Sequence, residues 1–555
     1  MPRLWSIPRL RPPTSTLLPG FLVTKPQSQH ETRIDLLEPL THAGPNNNDK
    51  SPLAKRKLRP TSYLDGLRGI AALIVCICHY TENHHGYLTP TYGVHRDKTA
   101  GGGANWVSSP IQLPFLRLVF SGRPMVHIFF VISGFALSSR PLAEARARNW
   151  GRLQTALSSA AFRRPIRLLG PVTVSTLIIF VFVRLGWLYS ALPMLGDQVQ
   201  HYVKSMTYHV WWPWAWEAHL FPPYDIHLWT VPIELCHSML LFVVLTMLAR
   251  VQPRVRLLCS LVFIVYCLYV GKWAAFEFIA GMMLAEYHLM SAEWGSKPLE
   301  FPCIRDSQSS EPFTPPGPPI PSDELATLEF YNISPKLAVL KNYELCFHVL
   351  ILATAGFIGG WPNTDQYETT IIGHMATWAP SAYPLRDPEG PQKFYFALCA
   401  VGVVWTCGRV GLVRRALELR GPQYLGRISF AIYIMHGMVF DMCHDMVLGH
   451  ARVRHTSPNW GPTDVVSGRG IRGLFGVDTV FGRTACWAGG LVVLLPLLGG
   501  LSHLFCVYID EPIVRLARKV ETWCFVTDDR EMSPAWSRRA SYREDRGEEE
   551  RICSY

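Results

Sequence analysis

The sequence predicts an all-α fold, a polytopic bundle of about ten helices that span a membrane. Three observations lead to this fold class. Of the 555 residues, 49% are hydrophobic and only 17% are charged, and the mean hydropathy is +0.13, a composition typical of membrane proteins. Long apolar segments recur along the chain. Arginines cluster in alternate loops between these segments, as is typical of cytoplasmic loops.

The apolar segments are long enough to form membrane-spanning or buried helices, although some are short or interrupted by glycine and proline. Their approximate cores are residues 66–82, 124–140, 168–189, 229–249, 256–271, 273–290, 344–361, 394–411, 428–447 and 485–509.

The distribution of basic residues predicts that both termini are cytoplasmic. The loops that would then face the cytoplasm are rich in arginine, whereas the loops near 84–110, 190–226 and 362–392 carry few basic residues. Residues 448–484 depart from this pattern. We therefore expect a multi-pass protein of the plasma membrane or an endomembrane, in contact with the lipid bilayer.

Three regions differ in composition. Residues 1–60 are rich in proline, small polar residues and basic residues, which predicts a disordered cytoplasmic tail. Residues 61–525 form the predicted transmembrane domain, interrupted by a proline-rich, flexible cytoplasmic linker at 293–340. Residues 526–555 are charged and predict a second disordered tail.

Charge and cysteine content narrow the range of functions. The net charge is +11, but the basic residues lie between apolar segments, so we expect no nucleic-acid partner. The 14 cysteines are scattered and show no zinc-ligand spacing. We expect no bound metal and no bound cofactor.

The first apolar segment contains two residues that membrane helices rarely carry. Arg68 precedes His79 by eleven positions, which is about three helical turns and about 16 Å along the axis, so both project from nearly the same face. An arginine inside a membrane costs roughly 2.5–3.5 kcal/mol, which favours an intramembrane site. The alternative is an arginine that extends to the headgroups and a histidine at the opposite surface.

Other polar residues in apolar surroundings are further candidates. Arg164 and Arg167, three apart on a helix, can bind phosphate or form an ordinary cytoplasmic cluster. Glu234 lies within an apolar segment, where it can orient a histidine or pair with an arginine. Ser133 and His436 are weaker candidates, because both residue types also serve packing between helices.

These stretches occur in an order that resembles the acyltransferase 3 family of polytopic membrane acyltransferases, and in particular its fungal members. The resemblance covers roughly residues 63–520. Its most specific segment is LDGLRGIAAL, with Arg68 followed ten intervening residues later by His79. The segments that follow in the family's order are FFVISGF, FRRPIRLLGP, LWTVPIE, FEFIAGMMLAEY, GRISFAIYIMH and YIDEPIVRL.

The resemblance implies ten spans and transfer of an acyl group, often acetyl, from acyl-CoA to a hydroxyl group. It identifies His79 with the family's essential histidine, Arg68 with its partner, and Arg164 and Arg167 with a cytoplasmic pair. Glu234 matches a glutamate of the family's motif, although the residues around it depart from that motif. The implied acceptors are small metabolites, as in fungal secondary metabolism, or carbohydrates.

We therefore expect an O-acyltransferase in which His79 acts as general base, with acyl-CoA as co-substrate rather than bound cofactor. A covalent acyl-histidine is the other chemical route. The alternative from another functional class is a transporter or channel whose pathway is lined by the buried histidine, arginine and glutamate residues.

Overall fold

The computed structural model describes residues 59–93, 109–296, 335–443 and 470–525, apart from 189–190, 213, 215–219, 364–366, 368–369, 388 and 477–478. Within these ranges the protein is helical and contains no β-strand, which confirms the all-α prediction. The two predicted tails and most of the predicted linker lie outside the described residues.

The helices differ widely in length. In chain order they are α1 Ser62–His84, α2 Pro114–Arg117, α3 Arg123–Arg146, α4 Trp150–Arg184, α5 Leu195–Ser205, α6 Thr230–Leu248, α7 Pro253–Tyr269, α8 Trp273–Ser296, α9 Pro335–Gly359, α10 Thr370–Thr377, α11 Gly390–Cys407, α12 Gly411–Leu417, α13 Arg420–Cys443, α14 Gly470–Phe475, α15 Val480–Phe505 and α16 Glu511–Cys524. Short helical turns lie at Gly86–Leu88, Pro110–Gln112, Leu118–Phe120 and Ile226–Trp229, and π-helical turns at Met206–Val210 and Cys506–Asp510.

Each of the ten predicted apolar segments overlaps one of these helices. However, not all of these helices are long and apolar enough to cross a membrane. In the described part of the chain, six helical stretches are long and apolar enough to cross a membrane, and a seventh counts if α11 and α12, bent by 92° at their junction, form one span. Helix α7 has only 17 residues, and α8 contains Glu277 and Glu286. The count of ten spans stays a prediction. The six stretches are Ser62–His84, Arg123–Arg146, Trp150–Arg184, Ile226–Leu248, Asn342–Gly359 and Val480–Cys524.

Glycines allow two helix pairs to pack with their backbones in contact. A Cβ atom at Gly134 of α3 would overlap the carbonyl group of Phe278 on α8. On the other pair, a Cβ at Gly69 of α1 would overlap the backbone of Gly426 on α13. Small residues at such positions let membrane helices approach closely.

Three charged side chains of α3, α7 and α8 are paired inside the bundle. Arg146 of α3 donates to Glu286 of α8 at 2.7 Å, and Nε of Arg256 on α7 lies 3.1 Å from the other oxygen of Glu286. Arg256 is 2% exposed and Glu286 is 1% exposed. Because an unpaired buried charge is strongly destabilising, this triad fixes the positions of α3, α7 and α8 relative to one another.

We expect Gly134→Ala to destabilise the protein, because the added methyl group meets the backbone of α8 and must displace it. Overpacking of this kind costs about 1–3 kcal/mol. The measurement is the free energy of unfolding in detergent, from denaturant titration. The matched control is Gly499→Ala on α15, where an added Cβ meets no atom within 4 Å. Equal changes in the two variants would contradict the proposed close contact.

Candidate active site

Three histidines from distant parts of the chain meet inside the bundle. His79 lies on α1, His227 in the helical turn before α6, and His436 on α13. The ring centroids are 4.3 Å apart for His79 and His227, 4.5 Å for His227 and His436, and 5.2 Å for His79 and His436. We call these three residues the histidine cluster.

The packing of α1 against α13 brings two of these rings to the same level. Gly69 contacts Gly426, and His79 stacks on His436. Each histidine follows its glycine by ten residues, so the two helices run parallel and in register. The close approach at the glycines therefore determines where both imidazoles lie.

Each ring of the histidine cluster presents its Nδ1 atom to an oxygen atom, and two of these contacts are hydrogen bonds. Nδ1 of His227 lies 2.9 Å from Oδ1 of Asp225, and Nδ1 of His436 lies 2.7 Å from the carbonyl oxygen of Tyr433. Nδ1 of His79 faces a carboxylate oxygen of Glu82 at 3.6 Å. Since carbonyl and carboxylate oxygens accept hydrogen bonds, these contacts favour a proton on Nδ1 and leave the lone pair on Nε2.

The rings differ in exposure. His436 is fully buried and His227 is 7% exposed, whereas the side chain of His79 is 28% exposed. Asp225 lies just before the span that begins at Ile226. Burial raises the pKa of its carboxyl group to about 6. An oxygen of this carboxyl group can accept a hydrogen bond from Nδ1 of His227. His79 is the ring that a substrate can reach most easily.

A second polar group lies about two turns beyond His227, around Glu234 of α6. Nη2 of Arg164 donates to Glu234 at 2.5 Å, and Nε of the same guanidinium donates to Ser238 at 3.1 Å. The hydroxyl of Ser133 donates to the same oxygen of Glu234 at 3.1 Å. We call Ser133, Arg164, Glu234 and Ser238 the Arg164–Glu234 cluster. Of the two partners that the sequence allowed for Glu234, the structure selects an arginine.

Tyr433 connects the two clusters. Its hydroxyl donates to the carbonyl oxygen of His227 and lies 2.6 Å from the hydroxyl of Thr230. Thr230 precedes Glu234 by four residues on α6, so both project from the same face. The seven residues from His227 to Glu234 rise by about 10 Å. The clusters are therefore neighbours along one side of α6.

The structure places Arg68 and Arg167 apart from the histidine cluster. Arg68 donates to the carbonyl oxygen of Gly426 at 3.0 Å and lies 3.4 Å from Asp65. Arg68 and Arg167 both lie near Asp510. Arg68 and His79, which the sequence predicted on nearly the same helix face but about 16 Å apart along the axis, therefore do not contact each other directly.

The structure thus groups the predicted residues in three places and adds others. His79 and His436 meet in one cluster, and Ser133, Arg164 and Glu234 meet in the other. Sequence reasoning did not single out Asp225, His227 or Tyr433. The available signals were an acidic residue two positions before a histidine at the start of a span, and a tyrosine three positions before His436 in GRISFAIYIMH.

Comparison with known proteins gives the context of this site. The sequence profile of the acyltransferase 3 family, described as an acyltransferase domain, matches residues 61–467. The O-acetyltransferase PaAT-1 of Phomopsis amygdali is 28% identical over 424 residues, which are 72% of this chain and 74% of the relative. Acyltransferase clz18 of Cochliobolus lunatus is 24% identical over 428 residues, 68% of this chain and 82% of the relative. Acyltransferase R4 of a Phoma species is 22% identical over 419 residues, 68% of this chain and 82% of the relative.

No solved structure matches the chain. The family match begins two residues after the first described residue and includes both polar clusters. Since this match covers most of the chain and the relatives are named as acyltransferases, the apolar helices and their polar clusters belong to a membrane enzyme that transfers acyl groups: the chain is a member of the acyltransferase 3 family.

Proposed function

We propose that this protein is a multi-pass membrane O-acyltransferase that transfers an acyl group, acetyl in the first instance, from acyl-CoA to a hydroxyl group of a small metabolite or carbohydrate. His79 is the general base. The observation that carries the proposal is the position of His79 in a chain of this family. It is the most exposed ring of a buried histidine cluster, and a carboxylate faces its Nδ1 atom.

The surroundings of His79 suit proton transfer. Histidine is the commonest general base in enzymes. Glu82 faces Nδ1, so it orients the ring and stabilises the imidazolium that forms when Nε2 accepts a proton. Glu82 itself lies 4.0 Å from Arg123 and accepts a hydrogen bond from Asn363. These contacts hold the carboxylate in place for its role beside His79.

The reaction follows from this geometry. Nε2 of His79 removes the proton from the acceptor hydroxyl while that oxygen attacks the thioester carbonyl carbon. A carbon–oxygen bond forms and the carbon–sulfur bond breaks. The departing thiolate takes the proton from the imidazolium, so the products are the ester and free CoA, and His79 returns to its neutral form. A cation near the carbonyl oxygen would stabilise the charge that develops there.

The arginines at the other end of the site suit the donor. Arg164 is oriented by Glu234 and Ser238, and Arg167 follows one turn later on the same helix. Guanidinium groups bind phosphate through paired hydrogen bonds. Because the two clusters lie about 10 Å apart along α6, the extended arm of a CoA molecule can join phosphates at the arginines to a thioester at His79.

The topology we propose has ten spans and both termini in the cytoplasm. Helices α1 and α13 run parallel, and basic residues precede both, at Lys57 and Arg59 before α1 and at Arg414 and Arg415 before α13. This arrangement supports the view that both helices start at the cytoplasmic surface. The name of the Phomopsis amygdali relative, an O-acetyltransferase, supports acetyl as the acyl group and a hydroxyl as the acceptor.

His79→Ala should lower kcat by about 10²–10⁴-fold, because the attacking hydroxyl loses its proton acceptor. The assay uses the full-length protein in membrane vesicles, acetyl-CoA labelled in the acetyl group and a metabolite extract, and it measures label in new esters. The control is His374→Ala, an exposed histidine on α10, which should keep wild-type activity. If correctly inserted His79→Ala protein transferred acyl groups at the wild-type rate, His79 would not be the general base.

Arg164→Lys should raise the KM for acetyl-CoA by about 10-fold or more and leave kcat nearly unchanged. Lysine keeps the charge but lacks the forked donors, and one hydrogen bond to a charged group contributes about 1.5–3 kcal/mol. The measurement is the dependence of transfer rate on acetyl-CoA concentration. Arg152→Lys, at an exposed position near the start of α4, is the matched control. An unchanged KM in Arg164→Lys would contradict donor binding at this arginine.

A further inference from the structure

The histidine cluster has the features of a metal site that the sequence did not predict. We infer that Nε2 atoms of His79, His227 and His436 bind a divalent transition-metal ion, Zn²⁺ by ligand type, and that the bound ion inhibits acyl transfer. One candidate ligand atom from each ring lies within 4.8 Å of the other two. The binding site stands on this geometry alone, whereas the inhibition rests on the proposed role of His79.

The ligand set is the one that zinc prefers. Neutral imidazole nitrogen is a common zinc ligand, and three histidines with a fourth position left open form a known type of zinc site. The Nδ1 contacts of the three rings keep the lone pairs on Nε2, as described above. The carboxyl groups of Glu82 and Asp225 lie directly behind His79 and His227, where a carboxylate offsets the charge of a bound cation.

The contacts behind the rings are those that support metal ligands. Histidines that bind metals almost always donate their second ring N–H to a carboxylate or a backbone carbonyl group. Asp225 fills this place for His227 at 2.9 Å, and the carbonyl oxygen of Tyr433 fills it for His436 at 2.7 Å. These hydrogen bonds fix both the tautomer and the direction of the ring.

Two nitrogens of the histidine cluster are buried without a hydrogen-bond partner. They are Nε2 of His227 and Nε2 of His436, on rings that are 7% and 0% exposed. Buried polar atoms are nearly always satisfied, and an exception requires an explanation. An ion between the rings would satisfy both nitrogens together, because one candidate ligand atom of each ring lies within 4.8 Å of the other two.

Binding requires a modest movement. With metal–nitrogen distances of about 2.0–2.1 Å, a tetrahedral ion sets its nitrogen ligands about 3.4 Å apart, so the widest separation must shorten by about 1.4 Å. His79 is the ring that can move, because its side chain is 28% exposed while the other two are enclosed. His227 and His436 form the fixed half of the site, and His79 closes it.

An ion in this position competes directly with catalysis. Nε2 of His79 cannot hold a metal and accept the hydroxyl proton at the same time, because both use the same lone pair. The ion-bound enzyme therefore lacks its general base. The enzyme would be active in the ion-free form. Zinc would inhibit it by binding at the histidine cluster, without binding at the donor site near Arg164.

The first experiment measures binding without reference to activity. Full-length protein in detergent is treated with a chelator and titrated with Zn²⁺ by calorimetry, and with Co²⁺ by visible absorption. We expect one ion per chain and the absorption of tetrahedral Co²⁺. His436→Ala should abolish binding, and Asp225→Asn should weaken it by about 10–100-fold, as loss of a supporting contact does. His237→Ala, a buried histidine of α6 outside the cluster, is the control and should bind normally.

The second experiment connects binding to transfer. Zn²⁺ should inhibit the wild-type enzyme over the same concentration range in which it binds, and a chelator should restore activity. Binding that is absent in the wild-type protein, or equal in all variants, overturns the site whether or not transfer occurs. Transfer that needs Zn²⁺ and disappears with the chelator overturns both the inhibition and the general-base role of His79. Absence of transfer in the chelated protein, with binding intact, contradicts the proposed function and leaves the metal site standing.

Discussion

Imidazole and guanidinium groups inside an apolar helix bundle need most of their hydrogen bonds satisfied by the protein, and the site depends on this constraint. Leaving a buried polar group unpaired costs about 1–3 kcal/mol, and more for a charge. Glu234 meets the requirement by accepting from Arg164 and Ser133. Asp225 and the Tyr433 carbonyl group meet it for two of the histidines. The hydrogen bonds that stabilise these buried polar groups also fix the orientations of their side chains.

The parallel packing of α1 on α13 explains how this chemistry is assembled. Backbone contact at Gly69 and Gly426 leaves no room for the helices to slide, so the histidines ten residues later are held at one level. Tyr433 lies on the same face of α13 as His436 and bonds to the segment that starts α6. The close contact between Gly69 and Gly426 and the hydrogen bonds of the Tyr433 hydroxyl therefore act together to position the rings.

Two nitrogens without partners distinguish the histidine cluster from a purely structural one. In the Arg164–Glu234 cluster, donors and acceptors face one another, which suits a site that orients a charged ligand. In the histidine cluster, Nε2 of His227 and Nε2 of His436 lack a hydrogen-bond partner. Their lone pairs suit a site that binds an electron-pair acceptor. A proton from the acceptor hydroxyl and a metal ion are the two candidates for His79, and each excludes the other because one lone pair serves both.

The sequence by itself determined the helical class, the positions of the apolar helices and the family resemblance, and it singled out His79 and Glu234 as candidate site residues, since these follow from local composition, spacing and motif order. It also allowed the pairing of Glu234 with an arginine, without saying which one. Only the tertiary structure decided that His227 joins His79 and His436, and that Arg68 donates to the carbonyl oxygen of Gly426. The physical reason is that helical periodicity specifies which face a residue occupies, whereas its partners on other helices depend on how distant segments pack.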